Sequence, residues 1–139
     1  MKYLLDTNVL SEFAKDEPDS HVDKWVSGNE ANLYVSTLTM GELKYGISVL
    51  PEGKRKRVLQ AWLTRTNDIM DGRILSFNRA VAYVWAEMRA SLRKEGRIIP
   101  SIDGMIAAIA IRYELAIATR NVADFEGVGV RLINPFEAG

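Results

Sequence analysis

Tyr3-Leu4-Leu5-Asp6-Thr7-Asn8-Val9-Leu10-Ser11 begins as a short apolar run, breaks at a carboxylate and two small polar residues, and resumes apolar spacing at Val9, Leu10 and Phe13. The pattern reads as a strand, an acidic tip and the start of a helix. In an open parallel sheet the strand tips on one edge face the ligand crevice, so Asp6 is expected there with its side chain free to point inward. Aspartate is also a good helix cap and turn former. Asp6 therefore needs partners elsewhere in the chain before it carries chemistry.

The 139 residues fit one domain, large enough to bury a proper core. Apolar residues make up 47% and charged residues 26%, the balance of a soluble globular protein rather than a disordered one. The first strand begins two residues after Met1, so no removable targeting segment is expected, and no apolar run approaches bilayer-spanning length. The absence of cysteine excludes a cysteine-built zinc site and a thiol nucleophile, and makes the cytoplasm the expected compartment. A net charge of zero argues against a polycation but leaves room for local basic patches.

Outward from the opening stretch, Val22, Trp25 and Val26 predict a second helix stopped by Gly28. The single histidine, His21, has no second His or Cys with which to build a zinc site. Leu33-Tyr34-Val35 is the second strand, and Ser36-Thr37 caps a helix with Leu43, Ile47 and Leu50 on its apolar face. Glu42 lies near the start of that helix, where a solvated glutamate is also at home. After Pro51-Glu52-Gly53 comes Lys54-Arg55-Lys56-Arg57, either a solvated helix start or a phosphate-contacting patch, with Val58, Leu59, Trp62 and Leu63 striped behind it. Arg73 to Phe77 is a third strand, followed by a helix that Asn78 caps and Gly96 ends, with Arg89, Arg93, Lys94 and Arg97 at its far end. Ser101 is expected to cap the next helix, apolar nearly all round and hence buried, with Asp103 in its first turn. Leu115 to Thr119 and Val130 to Ile133 complete five strands, and Asp124 follows the fourth.

Strands alternating with helical segments predict an α/β fold, a parallel sheet with helices on both faces. In that architecture Asp6, Glu42, Asp103 and Asp124 each fall at a strand-to-helix handover or in the opening turns of a helix, so all four are able to gather on one edge. Carboxylates about 4 Å apart repel by roughly 1 kcal/mol even in water, and by more near protein. A divalent cation relieves that repulsion. All-oxygen ligands point to magnesium or manganese, an ion that orients phosphate and activates water for phosphodiester hydrolysis.

The chain resembles the PIN-domain endoribonucleases, and most closely the VapC/FitB-like toxins of type II toxin–antitoxin pairs. The matching motifs are Leu4-Leu5-Asp6-Thr7-Asn8 with Ser11-Glu12, Gly41-Glu42-Leu43 with Gly46, Asp103 before Ile106-Ala107-Ala108, and Thr119-Arg120-Asn121 leading to Asp124-Phe125. The resemblance covers essentially residues 1–139 as one PIN-like nuclease domain with a five-stranded parallel sheet. It implies that Asp6, Glu42, Asp103 and Asp124 are catalytic residues holding Mg2+ or Mn2+, supported by the polar side chains of Thr7, Asn8, Thr119 and Asn121. It further implies an RNA substrate, a small cognate antitoxin, a homodimer that assembles further with the antitoxin, and no membrane. Lys54, Arg55, Lys56, Arg57 and Arg120 are the RNA-binding candidates. Trp25, Trp62 and Trp85 lie on helical apolar stripes, either as core or, where a stripe is left partly open, as a groove for an apolar partner helix.

Two other functions remain open. An aspartate-nucleophile phosphatase also opens with a strand ending in Asp, but looks for a second acid two residues on, where this chain has Asn8. A non-catalytic metal- or partner-binding module would use the same acids without cleaving RNA.

Overall fold

The computed structural model describes residues 1–137. Five strands form one sheet: β1 (Tyr3–Leu5), β2 (Leu33–Ser36), β3 (Ile74–Leu75), β4 (Ala116–Ala118) and β5 (Leu132–Ile133). Their spatial order is β3-β2-β1-β4-β5 and every pairing is parallel. The chain first builds outward from β1 through β2 to β3, then returns to lay β4 on the other flank of β1. The order therefore reverses between β1 and β4, and a crevice opens beyond the carboxyl ends of those two strands.

Both faces of the sheet are covered, because strand side chains alternate between them. Leu4 and Ile117 pack on one side with Val81, Met88 and Leu92 of α5 (Arg79–Lys94) and Ile106 and Ile109 of α6 (Ser101–Tyr113). Leu5, Val35 and Ala118 pack on the other with residues of α1 (Thr7–Leu10), α2 (Ser20–Ser27), α3 (Thr37–Ser48) and α4 (Lys54–Ile69). Short 3-10 turns at Ser11–Ala14, Glu30–Asn32 and Val122–Phe125 complete the secondary structure. Among the described residues, no helix is long and apolar enough to cross a membrane.

Helices α5 and α6 run antiparallel. The amide of Asn78, before α5, reaches the hydroxyl of Tyr113 at the end of α6 (3.3 Å), and at the other end a Cβ on Gly104 would stand 3.3 Å from Trp85 Nε1. This close crossing explains the run Gly104-Met105-Ile106-Ala107-Ala108: small residues let α6 lie against α5 while staying buried. It also sets the start of α6, with Asp103, near Asp6 at the carboxyl edge of the sheet.

Some boundaries differ from those the sequence predicts. Ser101 is not the cap of α6 but its first residue; Pro100 stands at the cap position and no side chain caps the helix. A proline fixed at φ −53° sets the entry angle without the hydroxyl. The third strand shrinks to Ile74–Leu75, and the stretch after Leu10 winds into a 3-10 turn. Asp6, Ser36 and Asn78 cap their helices, accepting from the amides of Thr7, Thr39 and Val81.

Candidate active site

Asp6 ends β1 at the point where the strand order reverses, and it is only 6% exposed. Burying a carboxylate requires donors to satisfy it. Its Oδ1 accepts from the Thr7 amide (2.8 Å), and its Oδ2 accepts from the Thr119 hydroxyl (2.8 Å) and the Asn8 side-chain amide (3.3 Å). Thr119, wholly buried at the end of β4, in turn accepts from Asn8 Nδ2 (3.2 Å) and from the Asn121 backbone amide (3.0 Å). Asn8 Oδ1 accepts from the Arg120 amide at 2.9 Å. The tips of β1 and β4 are thus stitched together by side chains.

Glu42, on the second turn of α3, is placed by the same device. Thr7 Oγ1 stands 2.8 Å from Glu42 Oε1 and 3.3 Å from Thr39 Oγ1. One hydroxyl carries one proton, and the shorter distance to a charged acceptor assigns it to Glu42. Thr39 is itself buried and fixed by Ser36. The sequence marks Ser36 only as a cap and gives Thr39 no role; the available signal is three hydroxyl residues crowded at a strand-to-helix handover, Ser36, Thr37 and Thr39.

Asp103 and Asp124 reach the site differently. Asp103 sits half-buried in the first turn of α6, and Asp124 is exposed in the 3-10 turn after β4. Neither side chain has a hydrogen-bond donor among the described residues. Burial pushes the Asp103 carboxyl up to about 6, and the neighbouring charges of Asp6, Asp124 and Glu42 push in the same direction. The four acids therefore face one electrostatic space.

Among the described residues, no cation forms an ion pair with these acids. The ion pairs among the described residues are Lys15–Glu12, His21–Asp19 and Lys56–Glu52, and none involves these four acids. Nor do three of the acids close into a ready-made ligand cage among the described residues. An ion at this edge would be held directly by one or two carboxylates and reached by the others through its waters. The donor set, all oxygen, fits magnesium or manganese.

The remaining sequence candidates are dispersed. Lys56 is clamped by Glu52 Oε1 (2.8 Å) and the Ser48 carbonyl (3.2 Å), pinning the connection between α3 and α4. Arg55 lines a cleft of about 550 Å³ together with Ser11, Lys15, Glu42, Ile47 and Trp62. Lys54 and Arg57 are exposed on the first turn of α4. The Arg120 guanidinium lies over the Phe136 ring, 3.8 Å from its centre, and its backbone amide donates to Asn8 Oδ1. Asn121 likewise contributes its backbone amide. Trp25 packs edge-on against Tyr3 and Trp85 against Phe77, whereas Trp62 forms a wall of the cleft beside Glu42.

The family model described as PIN domain matches residues 3–129. "VapC ribonuclease Y4jK" of Sinorhizobium fredii is 37% identical over 136 residues, covering 96% of this chain and 97% of its own. "Toxin FitB" of Neisseria gonorrhoeae is 36% identical over 135 residues, with 96% and 97% covered. The crystal structure of FitAcB from Neisseria gonorrhoeae superposes with a TM-score of 0.90 at 36% identity, covering 98% of this chain and 99% of that one.

Proposed function

The chain belongs to the PIN-domain family, and from that premise we propose that it is a divalent-metal-dependent endoribonuclease acting as the toxin of a toxin–antitoxin pair. The observation that carries the enzymatic part is the mutual electrostatic influence of Asp6, Glu42, Asp103 and Asp124, with no ion pair to any of them among the described residues. Asp6, Glu42, Asp103 and Asp124 would hold the ion, directly or through its waters. When bound, magnesium or manganese supplies charge stabilisation at phosphorus and a water acidified enough to attack it.

The chain's own residues set the geometry. Thr119 and Asn8 hold the Asp6 carboxylate in one rotamer, and Thr7 aims Glu42. Such outer partners keep ligand oxygens from swinging away when substrate enters. Asp103, with its carboxyl displaced upward, holds a proton more readily than an ordinary aspartate and must release it before it serves as an anionic ligand. The phosphatase alternative fares poorly, because Asn8 uses its amide as a strut between strands rather than as a proton carrier.

The toxin role rests on the relatives named VapC ribonuclease and toxin FitB. Within that role, the cleft beside Glu42 is suited to an antitoxin segment: Ile47 and Trp62 offer apolar wall, and Glu42 offers a carboxylate to an incoming arginine. A homodimer is the expected assembly of the active toxin.

Cleavage of mixed cellular RNA with and without magnesium, followed by sequencing of the cut ends, tests the proposal. Magnesium-dependent cuts that disappear in Asp103→Asn support it. Cleavage that persists undiminished in EDTA overturns the metal assignment, and binding of metal without any cleavage would leave the non-catalytic module as the function.

A further inference from the structure

We propose that the substrate's phosphate backbone enters along a groove at the tip of the α5–α6 hairpin, on Arg89, Arg93, Lys94 and Arg97, and not along the basic run that opens α4. The proposal rests on the nuclease reading and assigns its binding face.

The groove has a volume of about 850 Å³ and is walled by those four cations with Ile98 and Ile99. No carboxylate lines it. In a chain of zero net charge, four positive side chains around one groove are a local excess that the rest of the surface must offset. Nothing within the described residues neutralises them, since none of the four takes part in an ion pair. By contrast, Lys56 in the α4 run is already engaged with Glu52.

Arg89 and Arg93 are four residues apart on α5, so they stand one above the other along the groove. Arg89 is held over the Trp85 ring, 4.4 Å from its centre, and Arg97 donates to the Glu126 carbonyl while lying against Gly127. Two of the cations are therefore pre-positioned, which lowers the entropy lost when they meet an anion. Arg93 and Lys94 are exposed and free.

The groove opens at the same end of α6 as Asp103. Ser101, one of its lining residues, precedes Asp103 by two positions on α6. The Glu126 carbonyl that holds Arg97 lies two residues beyond Asp124. A strand following the cations would thus run toward the opening turn of α6, the turn that carries Asp103. The wall is not wholly polar, because Ile98 is 97% exposed and gives an unstacked base an apolar surface to cover. A single strand suits such a track, since its backbone meets cations while its bases remain free to splay.

The test uses Arg93→Ala/Lys94→Ala, which removes the two free cations and leaves the Arg89–Trp85 and Arg97–Glu126 pairings in place. Binding of a mixed-sequence single-stranded RNA oligonucleotide is followed by fluorescence anisotropy in EDTA over a range of salt, beside wild type and Lys54→Ala/Arg57→Ala. The groove variant should lose about tenfold in affinity, and its dependence of log K on log salt should flatten by about 1.4, or about 0.7 for each phosphate that is no longer neutralised. The α4 variant should match wild type in both. An unchanged slope in the groove variant, with wild type still cleaving RNA, overturns the track and leaves the nuclease standing. Weaker binding of inorganic phosphate with unchanged RNA binding also overturns it, assigning the groove to a small anion. Failure of wild type itself to bind or cleave RNA removes the nuclease reading on which the track depends.

Discussion

The two halves of the acidic mouth are built on opposite principles. On the β1–β4 side, Asp6 accepts three hydrogen bonds and Glu42 one, through a net of Thr7, Asn8, Thr119 and their neighbours. On the α6 side, Asp103 and Asp124 accept none from side chains or from amides among the described residues, and Asp103 bears the electrostatic load of the other three. One half supplies position. The other supplies unmet charge.

Replacing one acid on each side separates these roles most sharply. On the proposed function, Asp103→Asn and Asp6→Asn should each reduce magnesium-dependent RNA cleavage by on the order of 10²–10³-fold, because each would withdraw a carboxylate from the ion. Their effects on stability should part. Asp103→Asn relieves repulsion and should raise the midpoint of urea unfolding in EDTA. Asp6→Asn turns an amide toward the Thr119 and Asn8 donors and should lower stability by about 1–2 kcal/mol. Equal shifts in the same direction would show that the two carboxylates stand in equivalent surroundings after all.

Thr119→Val probes the positioning half alone. The hydroxyl donates to Asp6 and accepts from Asn8 and the Asn121 amide, so its removal leaves buried partners unsatisfied at nearly constant volume. A loss of about 1–3 kcal/mol in stability is expected, with cleavage down by about 10–100-fold. Thr119→Ser should restore most of the activity. If the serine variant is as impaired as the valine, the methyl group rather than the hydrogen bonds is what matters at this site.

The asymmetry is only half legible in the sequence. Five parallel strands, two-sided packing and acids at strand ends and helix starts follow from short apolar runs, helical spacing and polar handovers. Those signals are local, and the fold preserves them. What a linear reading cannot supply is which acids are satisfied. Thr39 meets Thr7 across 32 positions and Thr119 meets Asp6 across 113, partnerships that exist only after β2, β1 and β4 are laid side by side. The basic residues are hard to weigh for the same reason. Lys54 to Arg57 stand out as a run, whereas Arg89, Arg93, Lys94 and Arg97 become a groove only when α5 folds back along α6.

The charge-bearing half makes a prediction about pH. Asp103 keeps its proton to about pH 6 in the folded protein, against an ordinary value of 3.8. Below about pH 4 both folded and unfolded chains carry the proton, and the group has no effect on stability. Between about pH 4 and pH 6 the unfolded chain releases it while the folded chain holds it, so the folded state binds more protons and stability falls as pH rises. Above about pH 6 the penalty is complete, of order 1 kcal/mol once solvent screening of a half-buried carboxyl is allowed for. Metal-free protein should therefore lose urea stability across this window relative to Asp103→Asn, which has nothing there to titrate. On the proposed metal binding, added magnesium would favour the charged carboxylate and should stabilise wild type more at about pH 7 than at about pH 5. Parallel pH profiles for wild type and Asp103→Asn in EDTA would mean that Asp103 is not under load, and the contrast between the two halves of the mouth would then lose its electrostatic basis.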